Sequence, residues 1–559
     1  MKTIFTLILS IALCGSIAAQ GELYHFKFAE KSKQKINGVL TQTISIDKVV
    51  GDTIYAYANT SEFEKFKALG YSYQIIPRAI TTKALTMATT IEQMANWDRY
   101  PTYEVYRALM KKFEVDYPTL CKLDTIGTSI NGRKLYVVKI SGNVTSDEAE
   151  PEVFYTSTMH GDETTGYILM LRLINHLLTE YGSNQHITDM VNNMAIFINP
   201  NANPDGTYKS GNSTVSGAIR YNVNYVDLNR NFPDPRRGDH PDGNSWQPEN
   251  VAMMSYAASR RFVLSANFHG GIELANYPWD TWTSTSKTHA DNNWYINVAR
   301  QYATLAQTNS PSGYFTGENN GITNGGDWYV VAGGRQDYMN WWHHCREVTF
   351  EISDTKLLPT EQLPALWNYN RDALLTYLER ALLGFNGTIK NSSGEPIRAK
   401  VFIENHDRDS SHVYSNAQHG TFYRPIEPGT WRVTFTAPGY SLQTHTVVVD
   451  SWTSSTQVNL NVVMYPTGVT TNSMPNINLW PNPFTNKVYI NIPNQLTNVR
   501  VSIYSLSGQL IKAIQGNGSG TIVWDGKTDN GQTATPGVYI VKATSNSGSA
   551  TAKVIFSPQ

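Results

Sequence analysis

Two histidines and a glutamate, His160, Glu163 and His269, are the residues of this 559-residue chain best suited to hold a metal ion. Two imidazoles and one carboxylate make a ligand set for catalytic zinc, with the fourth position left to water. The close pair in His160-Gly161-Asp162-Glu163 cannot complete a tetrahedral site, so the distant His269 is required. A histidine and a glutamate at this spacing are a weak signal alone, and His344-Cys345-Arg346-Glu347 repeats it. Context favours the first copy, which lies between a strand and a helix and is followed by small residues. His343 and His344 read as packing or surface residues.

The elements around these residues explain how they could meet. EVFYTSTM reads as a buried strand running into His160, and FVLSANF as one running into His269-Gly270-Gly271. MAIFINP leads into a long polar loop ending in VDLNRNFPD, and EVTF runs into Glu351. Sites in parallel α/β sheets form just beyond the carboxyl ends of the strands. Four strand ends would thus bring two His, two Glu and a group of Arg and Asn to one edge. Between the strands, TYEVYRALMKKFEV places Val105, Leu109 and Phe113 on one helical face. GYILMLRLINHLLTEYG predicts an apolar helix stopping at Gly182, and a last helix ends at Gly384. The fold class expected is α/β, a mixed and mostly parallel sheet with helices on both faces, followed by two all-β sandwich domains.

The chain divides accordingly. Residues 1–19 combine Lys2, a short apolar run and small residues at Ser16, Ala18 and Ala19, the pattern of a signal peptide. Residues 20–90 form an α+β unit and a linker, RAITTKALTMATT, with Arg78 and Lys83 open to proteolysis. A removable pro-segment and a permanent accessory domain both remain open readings. The α/β domain spans 91–383, a first β-sandwich 384–465, a linker 466–478 and a second β domain 479–559.

Composition narrows the function classes. Lys plus Arg number 45 and Asp plus Glu 46, a net charge of -1 that argues against a nucleic-acid binder and an acidic disordered chain. No segment after the signal is long and apolar enough to span a membrane. Cys14 leaves with the signal; Cys121 and Cys345 could pair or remain buried thiols, and they are too few for a Cys-based zinc site.

Six blocks in order, HGDETTG, NPNANPDG, RYNVNYVDLNRNFPD, NFHGGIELANYPWD, NGGDWYVVAGGRQDY and EVTFEIS, resemble a zinc metallocarboxypeptidase of the carboxypeptidase A superfamily. The resemblance is nearest to the regulatory branch of carboxypeptidases E, N, M and D. It implies one zinc ion held by His160, Glu163 and His269, with Glu351 as general base toward a zinc-bound water. By the same resemblance Arg220 stabilises the oxyanion, and Asn229 and Arg230 hold the substrate's terminal carboxylate. Tyr329 closes over the substrate, and Asp227 orients His160. Asp280 and Gln336 match the side-chain pocket of enzymes that prefer C-terminal Lys or Arg. Arg335 departs from the branch, and inside that pocket it would oppose Asp280. Residues 384–465 resemble a transthyretin-like domain, and 479–559 resemble the C-terminal sorting domain of type IX secretion, with Trp480 where that family usually has Tyr.

The expected protein is a secreted or surface exopeptidase of a Gram-negative bacterium. Its partners would be peptide or protein C-termini and, through its last domain, a secretion machinery. A same-fold amidohydrolase of peptidoglycan peptides and an inactive binding protein are the alternatives.

Overall fold

The computed structural model describes residues 22–77, 85–452, 458–467, 477–492, 499–516, 520–545 and 548–558. The expected signal, Arg78, Lys83 and most of the 466–478 linker lie outside the described residues.

The N-terminal unit is a four-stranded antiparallel sheet. Its strands β1 (Leu23–Ala29), β2 (Ser45–Val50), β3 (Thr53–Asn59) and β4 (Tyr73–Ile75) lie in the order β2-β3-β1-β4. Helix α1 (Thr60–Lys67) starts at a capping box, in which Asn59 and Glu62 each satisfy the other's backbone N–H. Phe63 and Phe66 of α1 pack on Phe26, Phe28 and Ile54 of the sheet. The pairing of β2 with β3 slips between Ile46 and Lys48, leaving Asp47 as a bulged residue.

The central domain holds α2 (Tyr103–Asp116), β5 (Cys121–Thr128), β6 (Lys134–Ile140), β7 (Glu152–Ser157), α3 (Thr165–Glu180) and β8 (Ala195–Asn199). It continues with α4 (Pro248–Ala258), β9 (Phe262–His269), β10 (Ile272–Tyr277), α5 (Asn292–Thr308) and β11 (Ile322–Asn324). Last come α6 (Arg335–His343), β12 (Arg346–Ser353) and α7 (Leu363–Glu379). The strands form one sheet in the order β11-β10-β12-β9-β7-β8-β6-β5. The central pairs β12/β9, β9/β7 and β7/β8 are parallel, and so is β10/β11; β10/β12, β8/β6 and β6/β5 are antiparallel. The sheet is therefore mixed and mostly parallel. Successive side chains of a strand face opposite sides, and β7 serves two cores. Val153 and Tyr155 pack with α2, α3, α5 and α7, while Phe154 packs with Met253 and Tyr256 of α4 and Tyr338 and Met339 of α6.

Cys121 and Cys345 are both buried and free. Cys121 opens edge strand β5 and Cys345 precedes β12, with four strands between them. At roughly 4.8 Å per strand spacing that separation is far too great for a disulfide.

After Gly384 the helices stop. Strands Phe385–Asn391, Thr421–Arg424 and Val458–Met464 form one sheet, and Lys400–Ile403, Val413–Tyr414, Gly429–Thr436 and Gln443–Val449 form the other. Ile389, Val401, Phe422, Val433 and Phe435 fill the space between them. Residues 466–559 form a separate compact unit. It too has a three-stranded and a four-stranded sheet, around Phe484, Val501, Trp524, Val541 and Phe556.

Candidate active site

Neighbouring strands deliver the candidate ligands to one edge. Beyond β7 the chain turns sharply at Thr158, whose φ of 60° is unusual for a β-branched residue. Gly161 then lies so close to the 206–207 backbone that a Cβ would sit 2.4 Å from the Gly206 carbonyl carbon. This pinned loop presents His160 and Glu163. His269 ends β9, the neighbour of β7, and stands in parallel register with Glu351 of β12.

The three donor groups converge. His160 Nδ1 is 2.9 Å from Glu163 Oε1, His269 Nδ1 is 2.8 Å from Glu163 Oε2, and the two Nδ1 atoms are 3.0 Å apart. Around a tetrahedral zinc with bonds of roughly 2.0–2.1 Å, donors stand about 3.3 Å from one another. The set stands a few tenths of an ångström inside that spacing, and all three residues are only 2% exposed. His160 Nε2 lies 3.0 Å from Asp227 Oδ1. Donation of an Nε2 proton to this carboxylate leaves Nδ1 free to ligate. Among the described residues one other cluster could bind a metal, Asp291, His406 and Asp407. There Arg424 already occupies the carboxylates, at 2.8 Å from Asp291 and 2.7 Å from Asp407.

Charged groups crowd the same pocket. Arg220 Nε donates to Asp227 Oδ2 at 3.1 Å, and its Nη1 reaches Glu163 Oε1 at 3.2 Å. Glu351 lines the pocket, and its buried Oε2 has no hydrogen-bond partner. Burial and the negative Glu163 both push the Glu351 carboxyl well above the ordinary range, outweighing Lys356 and Arg220.

A second wall carries the residues expected to meet substrate. Asn229 and Arg230 sit on a short turn capped by Asp227, whose Oδ1 accepts from Asn229 N. Asn229 Oδ1 accepts from Arg335 N at 2.9 Å, leaving its amide nitrogen for the pocket. Asp280 Oδ1 accepts from Gln336 Nε2 at 2.8 Å, and Gly325 packs directly on Asp280. Burial raises the Asp280 carboxyl to about 7, against the hydrogen bond from Asn276 and the charge of Arg230. The Arg335 side chain turns away from this pocket. It pairs with Glu347 at 3.2 Å, donates to Thr156 and covers the Phe154 ring. Its charge is thus spent in the core, and the repeat motif's Glu347 serves as its counter-ion. His344 of that motif packs at a tilt against His412 and bonds Ser410 O instead.

Three further residues reach the site, and none stood out in sequence. Lys356 Nζ lies 3.0 Å from Glu163 Oε1 and 2.5 Å from Asp47 Oδ1. Asp47 also pairs with Arg220 at 3.3 Å, and Ser45 Oγ donates to Asp227 Oδ2 at 2.5 Å. Lys356 follows Glu351 closely enough that position alone could have flagged it. Asp47 and Ser45 come from β2 of the N-terminal unit, and no local pattern ties that strand to the pocket.

A family model described as zinc carboxypeptidase matches residues 106–373, a span that contains His160, Glu163, His269 and Glu351. A second model, described as secretion system C-terminal sorting domain, matches 478–557. The chain is 33% identical to mouse carboxypeptidase M over 354 residues, 61% of this chain and 79% of that protein. This chain belongs to the zinc carboxypeptidase family. It is also 34% identical to human carboxypeptidase D over 384 residues, 65% of this chain. It spans only about a quarter of that relative's length, 26%. Carboxypeptidase A from Helicoverpa armigera aligns at a TM-score of 0.49 with 18% identity, over 64% of this chain and 98% of that one. Family membership implies zinc, and the buried donor set of His160, Glu163 and His269 fits it.

Proposed function

We propose that the protein is a secreted zinc carboxypeptidase that removes the last residue of peptides and proteins, with a preference for C-terminal Lys or Arg. One observation carries the reading. The three converging ligands share a pocket with a carboxylate bearing a free oxygen, Glu351, and with the anion-binding residues Arg220, Asn229 and Arg230. When bound, zinc supplies a Lewis acid for the scissile carbonyl and lowers the pKa of water. The other roles fall to side chains. Glu351 takes the proton of the attacking water on its free oxygen and passes it to the leaving amine. Arg220, fixed by Asp227, offers its guanidinium to the developing oxyanion. Arg230 and the Asn229 amide hold the terminal carboxylate, and Asp280 offers its charge to a basic side chain. The sorting domain supports export and a link to a secretion machinery.

The test is an assay of the protein, cut within residues 78–84, on peptides ending in Lys, Arg, Leu or Phe, with and without a chelator. Chelator-sensitive release, fastest for Lys and Arg, is expected. Release from none of the four peptides overturns the reading. Glu351→Gln is expected to keep zinc by metal analysis and lose most turnover, a fall of at least 100-fold on the scale of general-base loss; full activity removes the base role.

A further inference from the structure

We propose that the first β-sandwich takes part in reading the substrate side chain, with Lys287 and Asp409 as positioning residues for the Asp280 pocket. The proposal rests on Asp280 as the selector in the carboxypeptidase reading and deepens it.

Residues 278–291 connect β10 to α5 with no helix or strand of their own. A connection of that length without secondary structure is uncommon in a compact domain and is as a rule functional. Its two ends have different supports. At the first end the catalytic domain holds the backbone. The Asp337 carboxylate accepts from Asp280 N at 2.9 Å and from Thr281 N at 2.8 Å, and Asp280 O accepts from Val331 N at 3.0 Å. At the second end the sandwich takes hold. Asp409 Oδ1 pairs with Lys287 Nζ at 2.8 Å, Arg408 Nη2 donates to the Thr288 carbonyl at 3.4 Å, and Arg424 holds Asp291.

Aromatic side chains join the two ends. The Lys287 ammonium lies 4.3 Å from the ring centre of Trp282 and 5.6 Å from that of Trp341 on α6, where the π face attracts a cation. Both rings stand 5.7 Å from Trp279, which is fully buried and directly precedes Asp280. Asp409, Lys287, Trp282 and Trp279 thus make a continuous packed chain from the sandwich to the residue beside the selector. Such chains carry a displacement from one site to another. Trp282 also sets its carbonyl on Gly326, where a side chain would not fit, and Gly325 next to it packs on Asp280. A shift of Trp282 therefore reaches the pocket wall from two sides.

The sandwich side of this contact is held in an unfavourable shape. Asn405, Asp409 and Ser410 have φ of 59°, 49° and 65°, in the left-handed region. Non-glycine residues persist there where their surroundings over-determine them, and they gather at working surfaces. His344 fixes the Ser410 carbonyl, and Lys287 fixes Asp409. The Lys287 and Asp409 side chains keep 31% and 22% of their surface exposed. Neutralising either one strands no charge in the core, so a change in selectivity is separable from unfolding.

The experiment measures kcat and KM at pH 8 for tripeptides ending in Lys and in Leu, on the chain cut within residues 78–84. Asp409→Asn suits it because Asn tolerates the left-handed backbone, and Lys287→Met because it keeps the stem and removes the charge. Each is expected to lower the Lys-to-Leu ratio of kcat/KM by about threefold or more, the size of effect that substitutions along a packed network produce. The loss should come from a higher KM for the Lys peptide, with kcat for the Leu peptide as in the wild type. Asp409→Glu and Lys287→Arg, which preserve the pair, are expected to keep the wild-type ratio. An unchanged ratio in both charge-removing variants overturns the proposal. So does a parallel fall of kcat on both peptides, the mark of a merely structural contact. A wild-type ratio of one overturns it too, and leaves the carboxypeptidase reading standing. Release of neither residue by the wild-type chain is the failure of that reading, and this proposal falls with it.

Discussion

At Asp280, proposed to meet a basic substrate side chain, burial makes the carboxyl's charge depend on pH near neutrality. It is 3% exposed, faces Asn276, Gln336 and Asp337, and has its pKa raised by desolvation to about 7, with Arg230 pulling the other way. Below that value the group is neutral and cannot pair with a basic side chain; above it the charge is present. The kcat/KM for peptides ending in Lys or Arg is therefore expected to fall about tenfold per pH unit below the inflection, relative to peptides ending in Leu. Asp280→Asn is expected to remove that difference and lower the Lys-to-Leu ratio at pH 8. The check is a pair of pH profiles on the two substrates. Parallel profiles in the wild type would show that Asp280 does not read the side chain.

At the scale of elements, helix α6 carries both a pocket residue and a core ion. Gln336 faces Asp280, whereas its neighbour Arg335 points into the layer between α6 and the sheet, onto Glu347, Thr156 and Phe154. Arg335→Ala leaves Glu347 buried without its counter-charge, a loss on the order of 3–5 kcal/mol. Arg335→Met with Glu347→Gln removes both charges and is expected to restore most of that stability, by denaturant unfolding. In neither variant should the Lys-to-Leu preference invert, since the side chain lies outside the pocket. The direction of Arg335 was not legible in the sequence, because it depends on a partner 12 residues later, on another element. The ligand loops were legible, because a strand that ends in His or Glu at the carboxyl edge of a parallel sheet has few places to send it. His160, His269 and Glu351 stand where that rule puts them. Nothing comparable marks β2. Its bulge at Asp47 and its docking face are properties of pairing and of a distant surface.

The catalytic domain and the first β-sandwich are joined by charge. Asp291 precedes α5 and takes Arg346 at 2.6 Å and Arg424 of the sandwich at 2.8 Å, while Arg424 also holds Asp407. Asp291 is 1% exposed and Arg424 is fully buried. Such a cluster adds little net energy against an apolar equivalent, yet breaking it is costly because charges stay buried unpaired. Asp291→Asn should therefore lower stability by about 3–5 kcal/mol, seen as a lower Tm of the larger unit by calorimetry at pH 7. Burial alone would raise the Asp291 carboxyl, but Arg424 and Arg346 outweigh it and hold the pKa well below the ordinary aspartate range. A folded-state pKa below the unfolded one gives stability that is complete above about pH 4–5 and is lost as pH falls further. Wild-type Tm should drop steeply on acidification below pH 4, and the Asp291→Asn curve should be flatter there. Equal Tm at pH 7 with parallel acid curves would mean that the domains are held by their apolar contacts and not by this cluster.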